Sequence, residues 1–245
     1  MNNYKLIIQY DGNKYKGWQR LGNTDDTVQA RIENVLSKML DRKIEIIGCS
    51  RTDTGVHALG QVANFMVNDK LNVLDTKNYI NKYLPEDICV TEVIQASERF
   101  HARYNANGKT YLYKIWNKEH ANPFMRKYSM YVKEKLNIEI MREASKYFLG
   151  EHDFTAYTNA KSKSKSMLRN IKSIEIKEIN NFIEIRISGD GFLHNMARRI
   201  IGTLIEIGLD RKKGEDIPRI LELKKRDQTG EMALACGLYL EEIRY

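Results

Sequence analysis

Helical and strand patterns alternate along this chain of 245 residues, and the alternation limits the folds that it can adopt. The strand-like segment Tyr4–Tyr10 is followed by apolar residues at helical spacing over Val28–Met39, with Thr27 as the predicted N-cap. Further strands are predicted over Ile44–Cys49 and Gln61–Val67, on either side of a turn. The chain therefore begins with the order strand, helix, strand, loop, strand.

The rest of the chain continues this mixture. The predicted helices are Asn72–Tyr83, Ile138–Leu149, Leu193–Ile207 and Ile217–Lys224. The predicted strands are Ile88–Ile94, Lys109–Asn117, Ile171–Ile179, Phe182–Ser188 and Leu238–Tyr245, with a hairpin around Asn180-Asn181. Because helices are set among hairpin-linked strands, we expect an α+β fold with a mixed, largely antiparallel central sheet and helices packed on it. We expect two α+β halves, 1–105 and 106–245.

The composition of the chain indicates what kind of partner it binds and in which cellular compartment it is expected. The 40 Lys and Arg residues exceed the 32 Asp and Glu residues, which indicates a polyanionic partner such as nucleic acid or an anionic membrane. The apolar run before Asp11 is too short for a signal peptide or a spanning helix, so a cytoplasmic location is expected. Cys49, Cys89 and Cys236 form no Cys-x-x-Cys pair and fit reduced thiols. No His/Cys spacing resembles a zinc site, so we predict no structural metal.

The segment from Ser50 to His57 brings chemically different side chains together between two predicted strands. Functional residues often lie on such loops. Asp53-Thr54-Gly55 alone is a turn signal. Arg51 adds to it, because an aspartate close to an arginine stays ionised at neutral pH and suits the role of nucleophile or base.

Arg51–Ala58, followed by Gly60-Gln61-Val62, resembles the signature of the TruA-type family of tRNA pseudouridine synthases. Other segments agree with the family in order and spacing over nearly the whole chain: Tyr10–Gly12, Gly17–Gln19, Thr27–Gln29, Leu84–Ile88, Phe100–Arg103, Lys109–Tyr113, Gly150–Thr155, His194–Arg198 and Gly237–Leu240. The resemblance implies two similar halves around a central RNA-binding cleft. It implies a cofactor-independent reaction that breaks the glycosidic bond of a uridine in the anticodon arm of tRNA, rotates the uracil and rejoins it through carbon. It also implies a homodimer in which one tRNA touches both subunits.

The same resemblance implies roles for four residues. Asp53 is the catalytic carboxylate, either as a nucleophile or as a base that removes a sugar proton, and the sequence leaves both routes open. Because the target nucleotide must leave its helix, Arg51 is the residue implied to occupy the vacated place. Tyr111 is the implied stacking platform for the base, although the alternation around it also fits an inward-facing strand residue. Arg198 is implied to pair with the catalytic aspartate.

Basic residues elsewhere are candidates for RNA contact. In Leu193–Ile207 the apolar residues cover an arc of roughly 180°, with Arg198 at its border and Arg199 on the polar side. A charge at the border of a buried face needs a partner, whereas Arg199 is predicted to be solvated or RNA-facing. A lysine–serine run is predicted to be a mobile loop that contacts either solvent or phosphate, through Lys161, Lys163 and Lys165.

This chain departs from the family pattern near the predicted site. Ser50 stands where the family usually has glycine, and Thr54 where it usually has alanine or serine. Residues 231–236 replace a segment that usually carries a threonine and a proline. We expect these differences to affect the choice of substrate more than the reaction.

Other classes of protein fit less well. An aspartic protease also uses Asp-Thr-Gly, but it needs two carboxylates that share a proton, and Arg51 opposes that sharing. The sequence shows neither the convergent acidic ligands of a metal-dependent nuclease nor the glycine-rich loop of a methyltransferase. A catalytically silent RNA-binding module is the remaining alternative. His57, His101 and His194 are expected to be bonded into the fold without a catalytic role.

Overall fold

The structure is a computed structural model that describes residues 1–159 and 166–245. The helices are α1 Val28–Met39, α2 Val73–Tyr83, α3 Ile138–Ser145, α4 Met196–Gly208 and α5 Asp216–Leu223. The strands are β1 Asn2–Tyr10, β2 Ile47–Gly48, β3 His57–Val67, β4 Ile88–Ala96, β5 Gly108–Trp116, β6 Met130–Tyr131, β7 Gly150–Asp153, β8 Leu168–Ile179, β9 Phe182–Gly189 and β10 Leu238–Arg244. This confirms the predicted α+β class with a largely antiparallel sheet. Within the described ranges, no helix is both long and apolar enough to span a membrane.

The chain divides into two compact units. The first unit contains residues 1–107 and 239–245, and the second contains residues 108–238. In the first unit the strand order is β4-β1-β3-β10, with β1 antiparallel to both β3 and β4. The last strand, β10, pairs in parallel with β3 and places Tyr239 opposite His57. The end of the chain therefore adds a strand beside the one that follows the Asp53 loop.

Helix α1 confirms the prediction from apolar spacing, and its N-cap is the predicted Thr27, whose hydroxyl accepts the Ala30 N–H. The predicted strand Ile44–Cys49 is wrong over most of its length, since β2 contains only Ile47–Gly48. Side chains of α1 take the place of a strand partner there. The Ser37 hydroxyl accepts the Ile44 N–H, and the Glu33 carboxylate accepts the Ile46 N–H.

The second unit has the strand order β5-β9-β8-β7, with antiparallel neighbours throughout. The predicted hairpin is confirmed, because β8 and β9 join at Asn180 and Asn181, which have φ of 48° and 70°. These left-handed values fit the two-residue hairpin turn that asparagine tolerates. Helix α3 ends at Ser145 and continues as a 3₁₀ turn to Phe148, so it is shorter than predicted.

Helix α4 supplies much of the core of the second unit. It begins at Met196 rather than at the predicted Leu193, because Asn195 has a φ of 63° and cannot extend a right-handed helix. The predicted apolar arc is buried from Met196 to Ile207. Gly202 allows the segment around Glu231 to pass directly over the helix, since an added Cβ would lie 1.6 Å from the Glu231 carbonyl oxygen.

The buried carboxylate of Glu33 should be a stabilising group. In Glu33→Ala the buried Ile46 N–H loses its acceptor, so we expect the free energy of unfolding to fall by about 1 to 3 kcal/mol in urea denaturation. Glu45→Ala is the matched control, because exposed Glu45 also pairs with Arg20 and should change stability by less than about 0.5 kcal/mol. Equal losses in the two variants would contradict this account.

Candidate functional site

The predicted Asp53 turn is present in the first unit. The Val56 N–H donates to the Asp53 carbonyl oxygen at 3.1 Å, and Gly55 has a φ of 78° that favours glycine. Arg51 and Thr54 are exposed, whereas Asp53 is half-buried. The turn therefore presents a basic and an acidic side chain close together in sequence, with Arg51 exposed and Asp53 partly covered.

Thr52 fixes the Asp53 turn through hydrogen bonds to Tyr10 and Trp18. Its buried hydroxyl lies 2.7 Å from the Tyr10 hydroxyl at the end of β1, and its carbonyl oxygen accepts the Trp18 N–H at 3.0 Å. Glycine is required where the loop after β1 meets this turn. A Cβ on Gly17, which has a φ of 93°, would lie 2.6 Å from the Thr52 carbonyl oxygen. The backbone next to Asp53 is thus fixed by one side-chain and one main-chain hydrogen bond.

A second clamp comes from Gln61 on β3. Its fully buried side chain accepts the Ser50 N–H at 3.2 Å and donates to the Ser50 carbonyl oxygen at 2.7 Å. Gln61 lies in the motif Gly60-Gln61-Val62, but the sequence predicted no role for its side chain. Glutamine at an inward position of an apolar strand was the available signal, because a buried amide needs hydrogen-bond partners. Ser50, one of the departures from the family pattern, therefore lies in this clamp.

His57 is the first residue of β3 and follows the Asp53 turn. Its buried ring stacks on Tyr239 with 4.7 Å between the ring centroids, and Nδ1 accepts the Gly12 N–H at 3.2 Å. The Asp11 carboxylate lies 3.2 Å from the same Nδ1. A Cβ on Gly12 would lie 2.0 Å from the Val56 carbonyl oxygen, so glycine is required at this contact. His57 is thereby bonded into the fold between β1 and β10.

Tyr111 lies on β5 of the second unit, opposite Ile187 of β9. Its side chain is 6 % exposed, and its ring meets Phe192 edge-on with 5.0 Å between centroids. Burial fits the inward-facing strand position that the alternation indicated. Its role as a stacking platform stays a prediction.

Arg198 lies in the first turn of α4 and is half-buried. Its Nε donates to the Ala233 carbonyl oxygen at 2.8 Å, and its own carbonyl oxygen accepts the Ala233 N–H at 3.1 Å. A third bond runs from Nη1 to the Asn195 side-chain oxygen at 3.3 Å. The segment 231–236, which departs from the family pattern, is therefore in direct contact with this arginine.

Tyr113 ties the same segment to β5. Its hydroxyl donates to the Leu234 carbonyl oxygen at 2.9 Å. Burial raises the pKa of Tyr113 far above its ordinary value, with Cys236 acting in the same direction and the Arg198 charge opposing it. The hydroxyl therefore remains protonated at neutral pH and remains a donor.

Arg199 differs from the expected solvated charge, because it is half-buried and bonded on two sides. Its Nε and Nη2 donate to the Asn159 side-chain oxygen at 3.1 and 2.9 Å, and Nη1 donates to the Thr229 hydroxyl at 3.3 Å. These two residues bond to the guanidinium that the helical pattern placed on the polar side of α4. Contact between Arg199 and RNA stays a prediction.

The structure distributes the predicted site residues between the units. Arg51 and Asp53 share one turn of the first unit, whereas Tyr111, Arg198 and Arg199 belong to the second. The predicted RNA contacts at Lys161, Lys163 and Lys165 lie outside the described residues. In the described part of the chain, no cluster of three or more His, Cys, Asp or Glu side chains could hold a metal ion.

Comparison with known proteins identifies the family. The family described as tRNA pseudouridine synthase matches residues 6–105 and 144–245. Over all 245 residues and the full length of each relative, the chain is 60 % identical to tRNA pseudouridine synthase A 2 of Bacillus cereus (strain ZK / E33L). By the same measure it is 46 % identical to tRNA pseudouridine synthase A 1 of Clostridium tetani and 43 % identical to tRNA pseudouridine synthase A of Acetivibrio thermocellus. The chain therefore belongs to the tRNA pseudouridine synthase family, a family of isomerases.

Proposed function

We propose that this protein isomerises uridine to pseudouridine in the anticodon arm of tRNA, with Asp53 as the catalytic carboxylate. The observation that carries this proposal is the Asp53 turn. Its backbone is fixed by Thr52 and Ser50 through buried hydrogen bonds, while Asp53 itself keeps partial access to solvent. A carboxylate on a rigid turn suits chemistry that needs a positioned group. Membership of the family supplies the reaction class.

The reaction breaks the bond between the sugar carbon and a ring nitrogen of uracil and forms a bond from the same sugar carbon to a ring carbon. The ring carbon loses a proton and the nitrogen gains one, so substrate and product have the same composition. Asp53 acts either by attacking the base or sugar as a nucleophile or by removing a sugar proton as a base. Each route needs the carboxylate within reach of the same nucleotide.

Three further residues have proposed roles. Turning the target nucleotide out of a helix costs a few kcal/mol, and a side chain that fills the gap lowers that cost. Arg51 suits this task because its side chain is exposed. Among residues 1–159 and 166–245, no ion pair that would fix its guanidinium is assigned to it. Tyr111 is proposed to stack on the flipped base, and Arg198 to pair with the carboxylate of Asp53.

The tRNA partner fits the net charge of +8. Lys and Arg contacts to phosphate make affinity for RNA fall steeply with salt, and recognition of a folded RNA is mostly by shape. We propose that Lys161, Lys163, Lys165 and Arg199 contribute such contacts. A homodimer and a cytoplasmic location complete the proposal, and sedimentation of the purified protein alone would test the former.

Replacing the proposed catalytic carboxylate should stop the reaction without stopping binding. We expect the unaltered protein to release label from unmodified tRNA that carries tritium at uracil C5, because that hydrogen leaves when the new carbon bond forms. Asp53→Asn keeps the size of the side chain but removes its charge, so release should fall by about 10³-fold or more while the dissociation constant for tRNA changes little.

The matched control is Asp41→Asn. Asp41 is exposed just after α1 and has a φ of 49°, a conformation that asparagine tolerates equally well. It should release label at the rate of the unaltered protein. If the unaltered protein binds tRNA and releases no label, the enzyme proposal is wrong and a silent RNA-binding module is correct.

The proposed stacking role of Tyr111 can be separated from its hydroxyl group. Tyr111→Phe keeps the ring and should retain most of the activity, whereas Tyr111→Leu should lower kcat/KM by the equivalent of about 1 to 3 kcal/mol. Circular dichroism and the melting temperature of each variant check that the buried site on β5 still folds. Similar activity in the leucine and phenylalanine variants would contradict the stacking role.

A further inference from the structure

Two arginines of the second unit converge on one neutral oxygen. The side-chain oxygen of Asn159 accepts Nε and Nη2 of Arg199 and also Nη1 of Arg226, the last at 3.3 Å. The main-chain N–H of Asn159 donates to the His194 carbonyl oxygen at 3.2 Å and holds the residue in place. Two positive charges are therefore brought together by a group that carries no negative charge.

Among the described residues, the polar groups that are bonded to this pair do not neutralise it. The Thr229 hydroxyl accepts from Arg199 and donates to the Arg226 carbonyl oxygen, but it is also neutral. Asp153 forms an ion pair with Lys224, and Glu206 accepts the Glu231 N–H and lies near Lys212. In the described ranges, no ion pair with a carboxylate is assigned to Arg199 or Arg226.

Both burial and the neighbouring positive charges disfavour the charged form of Arg199. Burial lowers its pKa, and the positive charges of Arg226 and Arg198 lower it further. A guanidinium has five N–H donors and remains charged at neutral pH. Among the described residues, Arg199 uses three of these donors and Arg226 uses one, which leaves donors on both for a further acceptor. A bound anion would use the spare donors and remove the repulsion.

We propose that Arg199 and Arg226 form a binding site for one backbone phosphate of the tRNA substrate. Arginine suits this ligand, because its planar fork of donors matches phosphate oxygens and can bind them in pairs. Asn159 and Thr229 orient the guanidinium of Arg199, and exposed Arg226 meets the phosphate from the solvent side. The site rests on the proposed function for the identity of the RNA, and it adds a positioning contact made by this chain's own residues.

The salt dependence of tRNA binding tests the site. Each phosphate contact that is lost should reduce the slope of log K against log salt concentration by about 1. We expect Arg226→Gln and Arg199→Gln each to weaken binding and to reduce the slope by up to about 1. The double variant should also lose about 1, because both arginines serve one phosphate. A loss of about 2 in the double variant would contradict a shared phosphate.

Arg219→Gln is the matched control for net charge. Arg219 is an exposed arginine on α5 of the same unit, and no hydrogen bond or ion pair to other described residues is assigned to it. Its slope should stay close to that of the unaltered protein. If Arg219→Gln reduces the slope as much as Arg226→Gln, the effect belongs to overall charge and the site is wrong. Melting temperatures check that Arg199→Gln remains folded.

Two further measurements, phosphate binding and label release, distinguish the possible outcomes. Inorganic phosphate, titrated against the unaltered protein and Arg226→Gln, shows whether the arginines take a free anion. If Arg226→Gln abolishes phosphate binding and leaves the tRNA slope unchanged, the RNA assignment is wrong. Label release by the unaltered protein is measured in parallel. If the unaltered protein releases label but the salt slope is unchanged in Arg199→Gln and Arg226→Gln, the phosphate site alone is wrong. If the salt slope falls in these variants but the unaltered protein releases no label, the proposed function alone is wrong.

Discussion

The site depends on the close contact between the loop after β1 and the turn that carries Asp53. The Tyr10 hydroxyl meets the Thr52 hydroxyl in a buried position, and the Trp18 N–H reaches the Thr52 carbonyl oxygen. This approach is possible because glycine stands at positions 12 and 17, where a Cβ would collide with the backbone of the turn. The proposed role of Asp53 as the catalytic carboxylate needs a fixed position, and these contacts hold the backbone next to it.

A second constraint acts on Arg198 in the other unit. One residue, Ala233, exchanges two hydrogen bonds with this arginine: its carbonyl oxygen accepts from Nε, and its N–H donates to the Arg198 carbonyl oxygen. Gly202 lets the neighbouring backbone lie against α4, and Tyr113 holds the next carbonyl group. The segment 231–236 therefore helps to set the orientation of the Arg198 guanidinium.

Local signals in the sequence predicted the elements that depend on local contacts. The Thr27 cap, the stop of α2 before Pro85 and the hairpin at Asn180 and Asn181 are each formed by neighbouring residues. The segment Ile44–Cys49 was predicted wrongly because its backbone partners are side chains of α1, which an apolar pattern does not reveal. The parallel pairing of β10 with β3 is equally non-local, since no feature of either strand specifies the other.

The candidate site divides in the same way. Asp53 and Arg51 could be found because they share one short motif that resembles a known family. The clamp from Gln61 and the pair formed by Arg199 and Arg226 could not, because their partners come together only in the folded chain. A helical wheel placed Arg199 on a polar face, but it could not show that Asn159 and Thr229 bond to its guanidinium.

The most direct test of the central claim is to map the product in RNA. Unmodified tRNA with uridines in the anticodon arm and elsewhere is incubated with the protein, digested to nucleosides and oligonucleotides, and analysed by mass spectrometry after a pseudouridine-specific label. The account predicts pseudouridine at uridines of the anticodon arm, with no change in the mass of the unlabelled RNA. Pseudouridine confined to other regions would contradict the proposed substrate position, and its absence from tRNA that the protein binds would contradict the proposed activity.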